Sequence, residues 1–267
     1  MSELPTLGIG TYGYTDHDLC AESVRTALEE GYRHVDTAEM YENEVAVGDA
    51  IERANVDREE VFVATKVHSS NLSYEDVLEA ARRSRDRLGV EVIDLLYVHW
   101  PIRTYDPGET LPALDRLREE GVIRHVGLSN FTPSQLDEAV SRLDSPIFAH
   151  QVECHPLLPQ EELRARARDL DHNLVAYSPL AKGQVTDVPE LLDIAEERGA
   201  TPAQVSLAWL FANDVAAIPK ASTAAHVREN YEALSITLSE ETVERIAEVD
   251  RIERVVDFDG APWNREH

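Results

Sequence analysis

The chain has 267 residues, 43% of them hydrophobic, enough for one large core; a single α/β barrel takes about 250 residues. Acidic residues outnumber basic ones by 51 to 25, giving a net charge of −26, which argues against nucleic-acid binding because phosphate recognition needs a basic surface. No run approaches the roughly 18 uninterrupted apolar residues of a membrane span, and MSELPTLGIG lacks the basic and apolar blocks of an export signal, so a cytoplasmic protein is expected.

Two cysteines, Cys20 and Cys154, are too few for a disulfide framework and read as buried or incidental thiols in a reducing compartment. The acid is spread over many helices rather than gathered in a tail. Only Lys66, Lys182 and Lys220 are lysines; every other basic residue is arginine. Acidic excess with almost no lysine suggests adaptation to high salt, where charge repulsion is screened. Each lysine follows an apolar run (VFVATK, LVAYSPLAK, VAAIPK), so the ammonium group itself is expected to serve at strand ends.

In chain order, residues 7–12 read as a short strand and 19–30 as an amphipathic helix closed by Gly31. A second strand ends at Asp36. Asn43 is placed to cap a helix containing Val45, Val47, Ala50 and Ile51. Residues 61–66 form a third strand. S-Y-E-D from Ser73 reads as a capping box for a helix to Leu88, with Gly89 behind it. Residues 92–99 are a fourth strand and 111–120 a helix closed by Gly121. A fifth strand, 125–129, leads to a helix with Pro133 at its first position.

Strands at 149–153 and 174–177 flank a helix at 160–170. Helices at 189–198 and 202–213 precede an eighth strand at 215–219. Helices at 223–233 and 239–250 follow, and residues 254–267 form a tail without clear periodicity. Eight short apolar strands alternating with helices imply a parallel sheet covered by helices, and the count matches a (β/α)8 TIM barrel in one domain, 1–267. A doubly wound open sheet is the alternative.

Gly8, Gly10 and Gly13 spell G-x-G-x-x-G, a dinucleotide fingerprint. That motif needs a buried strand before it and a helix starting inside it. Only seven residues precede it here, and the helix begins past Thr15, so a strand and turn entering the barrel is the preferred reading.

Asp36, Lys66 and His99 fall at the ends of the second, third and fourth strands, and Tyr41 lies in the loop after the second. Neighbouring parallel strands lie about 4.8 Å apart, so these side chains can converge on one rim. Singly, each has a structural explanation: a turn cap, a packed phenol, a solvated charge, a core histidine. Together they form a proton-delivery unit. Tyr41, with a reference pKa near 10, would be the acid. The Lys66 ammonium would lower that pKa, Asp36 would hold the lysine, and His99 would orient a carbonyl.

These residues lie in VDTAEMY, ATKV and VHWP. With GLSNF, QVECHP, AYSPL, IPKAS and the pair Glu229-Asn230, the chain resembles the aldo-keto reductase family over nearly its whole length. The resemblance implies a (β/α)8 barrel that reduces aldehydes and ketones with NAD(P)H, using Asp36, Tyr41, Lys66 and His99 as a catalytic tetrad. It places Ser129, Asn130 and Gln151 on the nicotinamide carboxamide and Tyr177 against the nicotinamide ring. Gly10 and Thr11 would border the nicotinamide side. Ser178, Leu180 and Lys182 would line the pyrophosphate path. Lys220, Ser222, His226, Glu229 and Asn230 would sit near the adenosine end, while Tyr12 and Trp100 would wall the substrate pocket. No metal is expected, and a monomer is the family-like default.

Two departures stand out. The family pattern after IPK has a serine and then an arginine, where this chain has Ala221 and His226. Both lost groups would grip a 2′-phosphate, so NADH is expected to serve alongside NADPH. The short amino terminus implies a reduced hairpin at the barrel base. Phe258, Pro262 and Trp263 either cover the pocket or pack on the barrel. Rival readings are a Schiff-base lyase with Lys66 as nucleophile and a cofactor-binding sensor without turnover.

Overall fold

The structure is a computed structural model that describes residues 4–264. Its frame is one sheet of eight parallel strands in sequence order: β1 (Ile9–Gly10), β2 (His34–Asp36), β3 (Phe62–Val67), β4 (Ile93–Val98), β5 (Ile123–Ser129), β6 (Ile147–Glu153), β7 (Asn173–Tyr177) and β8 (Val215–Ala217). Gly8 and Gly10 donate backbone N–H groups to Ala217 and Pro219 at 2.9 and 3.1 Å, and Ala217 donates to Thr6 at 2.9 Å. The eighth strand thereby meets the first, consistent with a (β/α)8 barrel and not with an open doubly wound sheet. Closure leaves no unpaired edge.

The helices are α1 (His17–Glu29), α2 (Glu44–Arg53), α3 (Tyr74–Leu88), α4 (Pro107–Glu119), α5 (Pro133–Arg142), α6 (Glu161–Asp169), α7 (Pro189–Arg198), α8 (Pro202–Ala212), α9 (Ala224–Glu232) and α10 (Glu240–Ala247). Their starts follow side-chain chemistry. Asp16 accepts from Leu19 N at 2.8 Å, and Thr132 and Thr201 make capping boxes with Gln135 and Gln204. Each such cap satisfies an N–H that has no partner inside its helix. Both strand faces are buried: β3 and β4 are covered along their entire length, as expected of parallel strands with helices outside and packed side chains inside.

Several local expectations change. Ser73 makes no cap bond; its hydroxyl donates to Asp76 instead, at 2.5 Å. Asn43 stands at the N-cap position of α2 without capping it, because its amide is engaged elsewhere. α4 begins at Pro107 behind the Asp106 cap rather than at residue 111, so Pro112 lies inside it. The G-x-G-x-x-G stretch contains a two-residue strand, and its glycines serve packing. A Cβ on Gly10 would lie 2.6 Å from the Ile218 carbonyl oxygen, and Gly13 turns with φ of +76°.

No described helix is long and apolar enough to cross a membrane. Among the described residues no hairpin precedes β1, and both cysteines are buried free thiols. The last three residues of the 254–267 tail lie outside the described part of the chain.

Candidate active site

Side chains at i and i+2 of a strand share a face, so β2 turns both His34 and Asp36 inward, and β3 turns Phe62, Ala64 and Lys66. At the C-terminal rim this brings opposite charges together. Lys66 Nζ donates to Asp36 Oδ1 and, at 2.7 Å, to the Thr37 carbonyl. Gln151 crosses the interior from β6 and donates to Asp36 Oδ2 at 2.7 Å. Asp36 and Lys66 are each 1% exposed, so the pair survives burial only because both members are matched and hydrogen-bonded.

Tyr41 is carried by a 3-10 turn, Glu39–Tyr41, directly after β2. Lys66 Nζ lies 5.1 Å from the centre of the Tyr41 ring. The His99 ring, one residue past β4, stands edge-on to Tyr41 with centres 5.7 Å apart. All four sequence-predicted residues therefore meet at one place. Burial, chiefly, and then Asp36, Tyr177 and Tyr12, hold the Tyr41 phenol well above its ordinary pKa. Desolvation and the carboxylate thus raise the phenol pKa, the direction opposite to the one expected from Lys66. Burial lowers the Lys66 pKa against the pull of Asp36. Burial, then Lys66 and His68, keep His99 well below the ordinary imidazole value, so it is neutral at pH 7.

The group opens into a cleft of about 690 Å³. Gly10, Thr11, Ser129, Asn130, Gln151, Tyr177, Ser178, Leu180, Lys182 and Lys220 all line it, as do Tyr12, His99 and Trp100. Asn130 holds a left-handed φ of 63°; its amide donates to the His99 carbonyl and to Ser129 Oγ, both at 3.0 Å, and accepts from Tyr177 OH at 2.8 Å. Gln151 spends an amide N–H on Asp36, leaving its carbonyl oxygen for a ligand. Tyr12, 63% exposed, packs edge-on against Tyr41 with ring centres 5.2 Å apart.

Other expected residues have further partners or lie away from the cleft. Lys182 is tied to the tail, donating to the Val255 carbonyl at 2.8 Å. Lys220 lies over the Tyr14 ring at 4.4 Å. Ser222, His226, Glu229 and Asn230 are not among the residues lining the cleft; Ser222 and His226 are exposed, and Asn230 is buried. Phe258 does cover the pocket, 5.1 Å from Trp100, and Trp263 stands 5.7 Å from Trp100 on its other contact. Pro262 is buried and does not line the cleft. With its amine buried and committed to Asp36 and Thr37, Lys66 is unsuited to be a free nucleophile.

Three further residues support the site. Asn43 ties the rim together, accepting from Thr37 Oγ1 at 2.7 Å and donating to the Thr11 carbonyl at 2.9 Å. Tyr97 lies beneath Lys66, 6.0 Å from its Nζ. Glu153 accepts the backbone N–H groups of Val255 and Val256 at 2.6 and 2.8 Å. The i+2 spacing of Tyr97 from His99 and of Glu153 from Gln151 already placed both on the inward face.

A curled parallel sheet with a charged, cleft-lining cluster at its C-terminal rim is the architecture of a barrel enzyme. The Aldo/keto reductase family profile matches residues 6–251, and the chain belongs to that family. A "9,11-endoperoxide prostaglandin H2 reductase" of Trypanosoma cruzi is 38% identical over 94% of this chain and 90% of its own length. A "Glyoxal reductase" of Bacillus subtilis is 36% identical over 95% and 91%. The crystal structure of a Bombyx mori aldo-keto reductase in complex with NADP superposes with a TM-score of 0.90 at 30% identity, covering 96% of this chain and 92% of that one. These relatives support an NADP-linked oxidoreductase acting on small carbonyl compounds.

Proposed function

We propose that this protein reduces aldehydes and ketones to alcohols, with Tyr41 as proton donor. The observation that carries the reading is the meeting of Tyr41, Lys66, Asp36 and His99 on the floor of the cleft. The remaining lining fits a nicotinamide dinucleotide. Ser129, Asn130 and the free carbonyl of Gln151 offer polar groups to a carboxamide, Tyr177 offers an aromatic wall, and Lys220 offers a cation to a phosphate. When bound, the cofactor supplies the hydride.

The side chains do the rest. Tyr41 keeps its proton at neutral pH because burial and Asp36 oppose the phenolate, which is the form a general acid requires. As the proton leaves for the carbonyl oxygen, the Lys66 ammonium 5.1 Å from the ring stabilises the phenolate left behind. Asp36, itself held by Gln151, and the Thr37 carbonyl fix that ammonium. Neutral His99 orients the carbonyl. Tyr12, Trp100 and Phe258 wall the pocket with aromatic rings. The pocket is open enough for small or polar carbonyls such as 2-oxoaldehydes or keto-sugars.

Tyr41→Phe is expected to lower turnover of a small aldehyde by about 10²–10⁴-fold. Fluorescence titration should find NADPH binding nearly unchanged. Retention of wild-type turnover would reject Tyr41 as the acid. With Ala221 and His226 where hydroxyl and guanidinium would grip a 2′-phosphate, NADPH should be favoured over NADH by less than roughly a thousandfold in kcat/KM.

A further inference from the structure

We propose that the preferred carbonyl substrates carry a carboxylate, and that Arg103 receives it at the mouth of the cleft. The proposal rests on the carbonyl-reductase reading above and names the substrate class for that site.

The cleft lining runs against the charge of the molecule. In a chain of net charge −26, the only carboxylate among the described lining residues is Asp36, already neutralised by Lys66. The other charged lining residues are Arg103, Lys182 and Lys220. Lys182 is spent on the Val255 carbonyl, and both lysines sit on the β7–β8 arc assigned to the cofactor. Arg103 stands on the opposite arc, in the loop after β4, four residues past His99.

Most arginines here are paired; Arg33 bonds Glu60 and Arg87 bonds Glu44. Arg103 has no carboxylate partner among the described residues. Its one side-chain bond is from Nη1 to Ser70 Oγ at 3.0 Å. A guanidinium presents several donors in a plane that matches a carboxylate, so the remaining donors are free to take one.

The loop is built to hold it. Arg103 adopts a left-handed φ of 58°, a conformation L-residues rarely take and which surrounding contacts must enforce. Thr104 supplies those contacts: its N–H and hydroxyl donate to the Ser69 carbonyl at 3.2 and 3.1 Å, and its hydroxyl accepts from Leu72 N at 3.1 Å. The partner loop is itself fixed, because Glu39 accepts from His68 N and Asn71 Nδ2, both at 2.9 Å. A neutral substrate would have no use for this cation. An anionic one would be repelled by the surrounding acid unless such a cation met it.

The test is a matched pair, 4-oxobutanoate and its methyl ester, with NADPH at one fixed ionic strength. Wild-type enzyme is expected to show the higher kcat/KM on the anion. Arg103→Gln should lower the anion-to-ester ratio of kcat/KM about tenfold, mostly through KM, and Arg103→Lys should recover part of it. A purely structural role would depress both substrates equally and leave the ratio unmoved, which would overturn the proposal. A wild-type preference for the ester would do the same. If neither compound consumed NADPH, the reductase reading itself would fail, a result distinct from a lost preference.

Discussion

At the starts of β2, β3 and β6 the interior holds His34, Phe62 and Phe148; at their far ends it holds Asp36, Lys66 and Gln151. Both triplets close across the interior. Phe62 reaches Phe148 at 5.8 Å between ring centres, and His125 stacks on Phe148 at 3.9 Å. Gln151 reaches Asp36 at 2.7 Å. One end is a plug of rings in which His34 has neither nitrogen hydrogen-bonded. The other is a cluster in which each charge has a partner. The same backbone therefore supports a base that stabilises by packing and a rim that holds ions ready for chemistry, a division general to this architecture.

The comparison breaks most severely at the rim. Asp36→Asn leaves the Lys66 ammonium buried without its counter-ion, and removing one partner of a buried pair costs about 3–5 kcal/mol. Denaturant unfolding should report that loss, and turnover should fall together with it. A variant as stable as wild type would mean that the Thr37 carbonyl alone suffices to hold the lysine. No ring at the base is expected to affect chemistry to this degree.

The base is vulnerable to acid instead. Burial, partly offset by Asp36 and Asp94 and reinforced by Lys66, drops the His34 pKa to about 4. An unfolded histidine titrates near 6.5. Between those values the unfolded chain binds a proton that the folded chain refuses, so stability declines as pH falls through that window. The loss from this residue is about 2 kcal/mol between pH 7 and pH 5, at roughly 1.4 kcal/mol per unit. His150 and His172, shifted to about 3 and about 4 behind the sheet, add to the same limb. His34→Leu should flatten the acid limb relative to wild type, measured by urea midpoints at the two pH values. Parallel curves would show that His34 does not carry its share.

Much of this contrast was legible in the sequence because strands impose a period of two. Asp36, Lys66 and His99 end apolar runs, so periodicity alone places them at strand ends. What escaped depends on distances the sequence does not contain. Asn43 looked like a helix cap, since asparagine before a helix usually is one; in the fold, Thr11 and Thr37 compete for the same amide and win. Lys66 reads as a group that acidifies Tyr41, whereas desolvation, the largest cause of the raised phenol pKa, is a tertiary quantity. The resemblance sets Lys182 on the pyrophosphate path, and only the folded tail shows that its amine also meets the Val255 carbonyl.

The smallest effect sharpens the comparison within the rim itself. Glu153, 1% exposed, is a buried carboxylate paired with neither lysine nor arginine among the described residues. Its charge is met by the N–H groups of Val255 and Val256 and by His155 Nε2 at 3.1 Å. It therefore grips the tail through backbone alone, whatever side chains the tail carries, while Lys182 takes the Val255 carbonyl from the other side. Val256 and Phe258 are thereby set as one wall of the cleft. Glu153→Gln exchanges one acceptor oxygen for an NH₂ that faces a donor, so one buried N–H loses its partner at a cost of about 1–3 kcal/mol. The tail should open locally rather than the barrel unfold. Tryptic cleavage at Arg251 and Arg254 is expected to accelerate several-fold, with KM for a small aldehyde rising more than kcat falls. Cleavage at the wild-type rate would show that Phe258 and Trp263, packed on Trp100, anchor the wall without the carboxylate.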